Sequence, residues 1–531
     1  MIKYYPVPEG EKISSLYSVK LGNIDVDCYS CIVKGKSFAV GNVNVNYDLS
    51  DYVNEEAAFL YFDMSADDTA VLTVTLPRDF SEAVVRPLSK KVKFSCYERS
   101  VKIEISKCGQ YTLECDGHHG ALHIFVNPLT DFGIKSDAPN IIYFGPGIHN
   151  PEQIRMKDGD TLFIDGGAVV HGSIREYNVS NITIAGHGIL DRGTVYSQGT
   201  GSGVMSVPKA IYFENCSNIA ICGITIKDSP QWVITLANCN NVVIDNIKQI
   251  GMWSGSTDGI DIVNSQNITV NNSFFRNGDD NITLKGFAPY MHQNVENILV
   301  KGCVLWCDWG CNLQIGAEVC ADVYRNIAFI DCDIIHSAHA ALSFQSGGYA
   351  DISHVIYENI RVEYSKYMRE AMLYIGDTED KTQTHGHIQI RTETGETEAV
   401  NAGDVPSKEG YVDHLFRTIT RPASELAGIK YEPKNEPYLA WLIYMEICEH
   451  WHDILSPDMP FANNHIINFK NIQVLLDEGL PNPPSRIEGY SSISRTYDVK
   501  IDNLTINGDH ITSTQKGNIV LGKYTDNITI F

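Results

Sequence analysis

From its second third onward the chain repeats one hydrophobic pattern: a polar turn, often holding Asn, then two short alternating strands separated by a polar kink. Along this repeat the successive spacings from Asn218 to Asn241, Asn267, Asn297 and Asn326 are 23, 26, 30 and 29 residues. Short strands at such a period, without helical segments between them, are typical of a solenoid. With three strand-and-turn sides per coil, the pattern predicts an all-β fold containing a right-handed parallel β-helix.

The position six residues after each turn residue gives a check of this register. Apolar or small side chains dominate it, as expected of a stack inside the solenoid in which each residue lies above its counterpart one coil away. Two cysteines that could otherwise suggest a zinc site fall in this stack, so we expect them in the core. The predicted stack comprises Ile224, Ile247, Ser273, Cys303, Cys332, Ile360, Ile472 and Leu504.

The start of the chain has a different pattern. Residues 1–138 hold alternating runs such as "AVLTVTL" and "SVKIEIS", separated by Gly, Asp and Pro, which predict an N-terminal β-sandwich domain of antiparallel strands. Residues 139–531 then form the predicted solenoid domain, interrupted by an insertion at about 361–465. Part of this insertion, "EPYLAWLIYMEICEHWHDIL", has helical periodicity. We expect the insertion either to wall one side of the solenoid or to make a homo-oligomer contact.

Composition limits the classes of partner. The 531 residues are 43% hydrophobic and 20% charged, as in a soluble globular protein, and the net charge is −24. This charge argues against nucleic acid, anionic lipid or a polyanion as the main partner. The start "MIKYYPVPEGEK" lacks the features of a signal peptide, and no apolar run reaches the roughly 18 residues that span a bilayer. We therefore expect a cytoplasmic protein, no membrane partner, and 14 cysteines that are mostly unpaired thiols.

Three carboxylates stand out within the repeat. Asp258 lies in "TDGID", and Asp279 and Asp280 are adjacent in "NGDD". Coils stack about 4.8 Å apart, and the 21 residues between Asp258 and Asp279 place these two on neighbouring coils. Crowded carboxylates raise one another's pKa, so the set could supply both the proton donor and the ionised base of glycoside hydrolysis. The alternative is that these residues cap turns or bind calcium; we expect no metal and no cofactor.

The same stretch resembles a known family. "DSPQWVITLANCNNVVIDNI", "TDGIDI" and "NGDDNITLK" are similar, in that order, to the motifs of the polygalacturonases, glycoside hydrolase family 28. The resemblance covers most of residues 140–360. It implies that Asp279 is the general acid, that Asp258 and Asp280 hold the attacking water as the base, and that the reaction inverts the anomeric centre.

Two departures from that family concern the substrate. Cys311 stands where polygalacturonases carry a His, and Ser343 and Gln345 stand where they carry the Arg and Lys that hold the uronate carboxylate. Without those cations a buried carboxylate would be left unpaired. A neutral sugar is therefore the expected substrate. The chain also resembles the dextranases and isopullulanases of glycoside hydrolase family 49, which share the solenoid and the Asp triad, carry an N-terminal β-sandwich and act on neutral α-glucans.

Further residues near the carboxylates are predicted to bind the sugar by stacking or hydrogen bonding. Each has an alternative interpretation, since Trp is often simply packed and His is often a satisfied surface residue. The predicted substrate-binding set comprises Trp253, Asp261, Lys285, Trp309, Asn312, Gln314, Glu318, His336, His339 and Gln345.

The sequence thus predicts an inverting O-glycosyl hydrolase that cleaves a neutral, α-glucan-like oligosaccharide or polysaccharide. The missing export signal favours short substrates and exo action in a pocket closed by the insertion. Three alternatives stay open: a polygalacturonase-type pectin hydrolase, a lyase or fructotransferase on the same fold, and a noncatalytic carbohydrate-binding solenoid. A lyase would use cations to neutralise a uronate, and the lost Arg and Lys count against it.

Overall fold

The computed structural model describes residues 1–34, 54–193, 209–252, 256–308, 310–369, 388–391, 397–400 and 439–531. Within these residues the protein is nearly all-β, as predicted. It consists of two N-terminal sheets and a right-handed parallel β-helix. A short separate hairpin, β34 (Ile388–Arg391) with β35 (Thr397–Val400), lies between two parts of the solenoid sequence.

The N-terminal strands form one six-stranded sheet (β1, β4, β5, β7, β10, β11) and one five-stranded sheet (β2, β3, β6, β8, β9). All their pairings are antiparallel except that of β5 with β11, which is parallel. A 3₁₀ turn spans Leu88–Lys90. The strands are β1 (Ile2–Tyr4), β2 (Ser18–Leu21), β3 (Ile24–Val26), β4 (Tyr29–Lys34), β5 (Asn54–Met64), β6 (Ala70–Thr75), β7 (Ala83–Arg86), β8 (Lys93–Tyr97), β9 (Ser100–Ile105), β10 (Gly109–Cys115) and β11 (Leu122–Pro128).

The six-stranded sheet is buried on both faces. One face packs against the five-stranded sheet through an aliphatic core. The other face packs on the solenoid through aromatic residues, with Tyr29, Phe59 and Phe125 meeting Phe274 and Trp306. Such an apolar interface fixes the N-terminal sheets on one side of the β-helix.

The solenoid is a single sheet of 31 strands in which every pairing is parallel except that of β41 with β42. Its first part comprises β12 (Ile141–Phe144), β13 (Gly147–Ile154), β14 (Thr161–Ile164), β15 (Ala168–Tyr177), β16 (Ser180–Gly186), β17 (Ile189–Asp191), β18 (Ile211–Glu214), β19 (Ser217–Cys222), β20 (Thr225–Ser229), β21 (Ile234–Ala237), β22 (Asn240–Asp245), β23 (Lys248–Met252), β24 (Ile260–Val263), β25 (Gln266–Asn271), β26 (Phe274–Asn277) and β27 (Ile282–Gly286).

The later coils contain the two longest strands of the solenoid, β30 and β32, which turn corners without leaving the sheet. A 3₁₀ turn at Lys366–Arg369 follows β33. These strands are β28 (Val295–Lys301), β29 (Val304–Cys307), β30 (Cys311–Ile330), β31 (Asp333–His336), β32 (Ala340–Glu358), β33 (Arg361–Tyr364), β36 (Trp441–Glu446), β37 (Asn463–Lys470), β38 (Gln473–Leu476), β39 (Ser485–Ile487), β40 (Thr496–Asp502), β41 (Leu504–Ile506), β42 (Asp509–Ile511), β43 (Ile519–Leu521) and β44 (Thr525–Ile530).

The turn residues explain the repeat. Asn218, Asn241, Asn267, Asn297 and Asn326 all have φ between 55° and 59°, in the left-handed region that Asn tolerates better than most residues. Their side-chain amides also hydrogen-bond from coil to coil, for example from Asn297 Nδ2 to Asn267 Oδ1 at 2.9 Å. Asn therefore recurs because it both turns the chain and links successive coils.

The stack predicted six residues after each turn is confirmed. All eight of its side chains are 0% exposed. The only hydroxyl in it, that of Ser273, accepts a hydrogen bond from the Ile247 N–H at 3.1 Å, and donates to the Asn271 carbonyl. Cys303 and Cys332 lie in the apolar core, as expected. All 14 cysteines are thiols rather than disulfides.

The helix predicted within the insertion is mostly wrong. Residues 441–446 form β36, which pairs in parallel with β32 and continues the solenoid, and only α1 (Glu449–Leu455) is helical. The stretch alternates as a strand does, with Ile443 and Met445 in the core. The interruption of the solenoid thus lies between β33 and β36, shorter than the predicted 361–465. Among the described residues, no helix has the length and apolar character needed to cross a bilayer.

Candidate active site

Two carboxylates occupy the same position on successive coils. Ile260 of β24 pairs with Ile282 of β27, and Asp258 and Asp280 each lie two residues before this pair. This coil is 22 residues long, so the residue that stacks on Asp258 is Asp280 rather than Asp279, as the sequence spacing had suggested. Asp279 is its neighbour, and the Asp279 N–H donates to the carbonyl of Thr257 at 3.3 Å.

Asp280 is held by donors from the next coil. Its Oδ1 accepts the backbone N–H of Cys311 at 2.8 Å, and its Oδ2 accepts the side-chain amide of Gln314 at 2.5 Å. Burial and the nearby carboxylate of Asp258 raise the pKa of Asp280 to about 8. A proton shared between Asp258 and Asp280 therefore resides mainly on Asp280. The sequence had suggested instead that both of these carboxyl groups are ionised.

Lys285 is the cation of the site. Its Nζ lies 2.9 Å from Asp258 Oδ2, 3.3 Å from Glu318 Oε2 and 3.5 Å from Asp261 Oδ1. Burial opposes the charge of Lys285, but Asp258, Glu318 and Asp261 together raise its pKa well above the usual value. Burial, and next the charge of Asp258, raise the pKa of Asp261 well above its usual range. One ammonium thus organises three carboxyl groups.

A row of outward-facing side chains runs past this cluster along the solenoid axis. Buried polar atoms without partners are rare in folded proteins; here Asp261 Oδ2 and Gln314 Oε1, both in the row, have no hydrogen-bond partner among the described residues. Their clustering on one wall is typical of a surface that meets water or a hydroxyl-rich ligand. In register order the row comprises Thr235, Asp261, Thr283, Gln314, Ser343 and Tyr444.

Gly310 makes room for the adjacent carboxyl groups. A Cβ on Gly310 would lie 2.5 Å from Asp279 Oδ1 and 2.7 Å from Asp280 Oδ1. On the far side of Gly310 is His339, whose N–H donates to the Gly310 carbonyl at 3.2 Å and whose Nδ1 lies 3.2 Å from Cys311 Sγ. Burial lowers the pKa of His339 to about 4, so its ring is neutral.

Several predicted binding residues therefore come together. The stacked carboxyl groups of Asp258 and Asp280 are surrounded by Lys285, Asp261, Gln314 and Glu318. His339 contacts Cys311, the residue after Gly310. Gln345 lies two residues after Ser343 on the same strand and also faces outward. It pairs in register with Glu446 on the next described coil. Burial raises the pKa of Glu446 to about 7.

Two predicted binding residues are placed elsewhere. Asn312 is 0% exposed, and its amide donates to the His336 carbonyl and to Ser337 Oγ, so its hydrogen bonds are used within the protein. His336 is 0% exposed, and its Nε2 pairs with Glu114 of the N-terminal sheets. The docked sheets explain the position of His336. Trp253 and Trp309 lie outside the described residues.

Sequence reasoning missed two residues beside Lys285. The ammonium groups of Lys209 and Lys285 lie 4.3 and 4.4 Å from the ring centroid of Trp232, in cation–π contacts. Trp232 precedes β21 by two residues, as Asp258 precedes β24, and this shared offset could have identified it. No motif marks Lys209. Burial lowers the pKa of Lys209 to about 8.

One group outside this site offers metal-ligand atoms within the described residues. It comprises Glu11, His171 and Asp191, with His171 Nε2 2.9 Å from Glu11 Oε1. The ammonium of Lys227 already pairs with Asp191 and lies 3.2 Å from Asp228. A cation of the chain is therefore already bound to one carboxylate of this group.

Comparison with known proteins finds relatives of the solenoid. The profile of Glycosyl hydrolases family 28 matches residues 161–372. "Probable exopolygalacturonase B" of Aspergillus fumigatus is 27% identical over 220 residues, which are 39% of this chain and 44% of that one. "Probable rhamnogalacturonase A" of Aspergillus oryzae is 28% identical over 162 residues, 30% of this chain and 32% of that one. The matches span less than half the length of these relatives.

Among solved structures, Dex49A from Penicillium minioluteum superposes with a TM-score of 0.56 at 15% identity, over 99% of this chain and 96% of that one. At this identity the likeness concerns the fold, which both proteins share nearly end to end. The family match and the relatives confirm the predicted resemblance: residues 161–372 are similar to the polygalacturonase-like glycoside hydrolases.

Proposed function

We propose that the protein is an inverting O-glycosyl hydrolase that acts on a neutral oligosaccharide. The observation that carries this proposal is the stacking of Asp258 and Asp280 on successive coils, with Asp279 adjacent and Lys285 bound to Asp258. A glycosidase needs one carboxyl group that donates a proton and another that activates water. This cluster provides both on one outward-facing wall of the solenoid, which we propose as the substrate groove.

The three aspartates take different roles in this proposal. The ammonium of Lys285, 2.9 Å from Asp258 Oδ2, compensates the charge of Asp258, which takes a proton from the attacking water. Asp280, whose raised pKa favours the protonated form, hydrogen-bonds and orients that water. Asp279, the general acid that the resemblance to family 28 implies, donates a proton to the leaving oxygen. A single displacement by water inverts the anomeric centre.

The surroundings favour a neutral sugar. A uronate carboxylate in the groove would face Asp258, Asp261 and Glu318, and the ammonium of Lys285 is already shared by these three. Ser343 and Gln345 offer hydrogen bonds but no charge. Burying an unpaired carboxylate costs several kcal/mol, whereas sugar hydroxyls can donate to the carboxylates and can both donate to and accept from Ser343 and Gln345. An α-glucan-like chain, cleaved from its end, fits this lining.

A second candidate is a polygalacturonase-type pectin hydrolase. The names of the similar proteins, an exopolygalacturonase and a rhamnogalacturonase, point this way. Lys209 is the specific observation in its favour, because it is buried beside Trp232 and has no ion pair within 4.0 Å among the described residues. It could hold a uronate carboxylate at a position other than that of the family's Arg and Lys.

The test is a release assay on two panels, neutral oligosaccharides with their aryl glycosides, and oligogalacturonides. We expect hydrolysis of at least one neutral substrate and negligible release from galacturonan. Asp258→Asn should abolish the activity, and Asp509→Asn, at an exposed strand position, should not change it. Activity on galacturonan alone would establish the second candidate. A 4,5-unsaturated product would show a lyase, and binding without release would show a noncatalytic solenoid.

A further inference from the structure

A second cavity lies far from the aspartates, where the start of the chain meets the first coils. It has a volume of about 240 Å³. Its walls come from three parts of the chain: Lys3 and Tyr5 at the N-terminus, the connecting stretch 130–136, and the early coils from Tyr143 to His187. The cavity therefore exists only when the N-terminal sheets are docked on the solenoid.

One wall of the cavity is aromatic and fixed in place. The ring of Tyr143 lies nearly parallel to that of Phe163, at 7° and a centroid distance of 5.9 Å, and Phe132 meets Phe163 edge-on at 5.4 Å. Tyr143 is 39% exposed and donates its hydroxyl to Asp165 Oδ2 at 2.8 Å. An exposed ring held by packing and by a hydrogen bond is preorganised to stack on a ligand.

The rest of the lining is polar. Asp165 Oδ1 accepts the Gly166 N–H at 2.8 Å, and Asp131 Oδ1 accepts the Gly133 N–H at 2.9 Å. Each carboxylate oxygen has a second lone pair, so both side chains can still accept hydrogen bonds from a ligand. Lys3, whose ammonium lies 4.7 Å from the Tyr5 ring centroid, can donate. Two carboxylates and one ammonium favour a polyol over an anion.

We propose that this cavity is a noncatalytic binding site for one neutral hexose unit, which stacks on Tyr143 and gives hydroxyl hydrogen bonds to Asp131 and Asp165. Its volume is below the roughly 300–1,000 Å³ of drug-sized pockets, so it accommodates a single sugar ring. The site is separate from the groove. Asp165 lies at the end of β14, and Asp258 lies before β25. These two strands are four coils apart. At about 4.8 Å a coil, that is roughly 19 Å along the axis.

This assignment gives the N-terminal sheets a part in ligand binding, since Lys3 and the stretch 130–136 complete the cavity. It does not depend on the proposed hydrolysis, because sugar binding here needs none of the three catalytic aspartates. The site would hold a glycan chain on the protein while another part of that chain occupies the groove.

The experiment places 3-fluorotyrosine at position 143 in the full chain and follows its ¹⁹F resonance during titration with methyl α-glucopyranoside. We expect a saturable shift with a Kd of about 1–10 mM, the range that ligand efficiency gives for so small a ligand. The matched control carries the label at Tyr97, which is 74% exposed on β8 and outside the cavity, and its resonance should not move. In the protein labelled at position 143, Asp165→Asn should weaken binding about five-fold or more.

A second titration uses methyl α-galactopyranosiduronate, which should bind at least five-fold more weakly because its carboxylate faces Asp131 and Asp165. Tighter binding of the uronate would overturn the neutral class. An unmoved resonance at position 143 up to about 100 mM, or equal shifts at positions 143 and 97, would overturn the site. Loss of hydrolysis in any of these variants would bear on the groove and not on this proposal.

Discussion

Lys285 Nζ lies 2.9 Å from Asp258 Oδ2, and the two residues belong to successive coils. Both side chains are buried, so each charge depends on the other for compensation. Removing one member of a buried ion pair leaves an uncompensated charge, which is far more costly than losing a surface pair. The charge of Asp258, the proposed base, is therefore compensated by Lys285, which lies on the next coil.

The first prediction concerns this pair. Lys285→Met should lower kcat about 10²-fold, because the buried carboxylate of Asp258 loses the cation that compensates its charge. Steady-state kinetics would measure this loss. Lys301→Met is the matched control, since the side chain of Lys301 is 54% exposed and lies 3.8 Å from its partner Asp331. Wild-type kcat in Lys285→Met would rule out a part for this ion pair in catalysis.

The second prediction concerns Gly310. Gly310→Ala would put a methyl group 2.5 Å from Asp279 Oδ1, closer than real contacts of this kind, so the carboxyl groups of Asp279 and Asp280 must move. A displacement of about 1 Å in a catalytic group can cost roughly 10²-fold in rate. We expect a loss of that size in kcat and also a lower Tm, because the backbone N of Asp280 would lie only 2.7 Å from the added Cβ.

Gly172→Ala is the control for this substitution. Its added Cβ would come no closer than 3.1 Å to a neighbour, the side chain of Pro151, and it lies far from the aspartates. It should retain wild-type kcat. If Gly310→Ala also kept its activity, Asp279 and Asp280 would not be the reacting carboxyl groups as placed here.

The third prediction uses the histidines between the N-terminal sheets and the solenoid. His123 Nε2 lies 3.0 Å from the guanidinium of Arg276, and its Nδ1 lies 2.9 Å from Thr112 Oγ1. Burial, and then the charge of Arg276, lower the pKa of His123 well below its usual value. The unfolded chain binds this proton more readily, so the stability that neutral His123 contributes is present above about pH 6.5 and falls as the pH drops below it.

Urea unfolding at pH 7 and pH 5 measures this contribution. The wild-type protein should lose more unfolding free energy between pH 7 and pH 5 than His123→Gln, whose side chain does not titrate. His510→Gln, at an exposed position in β42, should behave like the wild type. Equal losses in wild type and His123→Gln would show that His123 is protonated without penalty in the fold.

Features of the fold that repeat along the chain could be predicted from the sequence, whereas a feature that depends on a single repeat could not. The solenoid register could be predicted because each turn residue is followed six residues later by a buried side chain. The relation persists where the turn residue is not Asn: Ile466 and Asp498 also have positive φ, and Ile472 and Leu504 follow them. The strand at 441–446 was missed because one repeat, read alone, resembles an amphipathic helix. Its identity depends on pairing with β32, about 100 residues earlier in the chain.

Several residues that the sequence singles out lie together in the candidate site, but their register could not be predicted. Coil length varies, so a spacing of 21 residues could not reveal that Asp258 stacks on Asp280. Nor could the sequence show that His336 meets Glu114, because that contact joins residues 222 positions apart. The boundary at 138/139, the homo-oligomer contact and the cytoplasmic location stay predictions.

The last prediction concerns the proton donor. Asp279→Asn keeps the shape of the side chain but cannot donate a proton, so a substrate with a poor leaving group should suffer most. General acid catalysis typically contributes about 10²–10⁴-fold, and a natural disaccharide should lose that much in kcat. An aryl glycoside whose leaving group needs no proton should lose far less. Asp258→Asn should slow both substrates alike, because each needs the activated water. Product stereochemistry, followed by NMR before mutarotation, is the second measurement, and inversion is expected because water attacks directly. Retention would make one aspartate a nucleophile, and equal losses on both substrates in Asp279→Asn would remove Asp279 as the acid even with inversion.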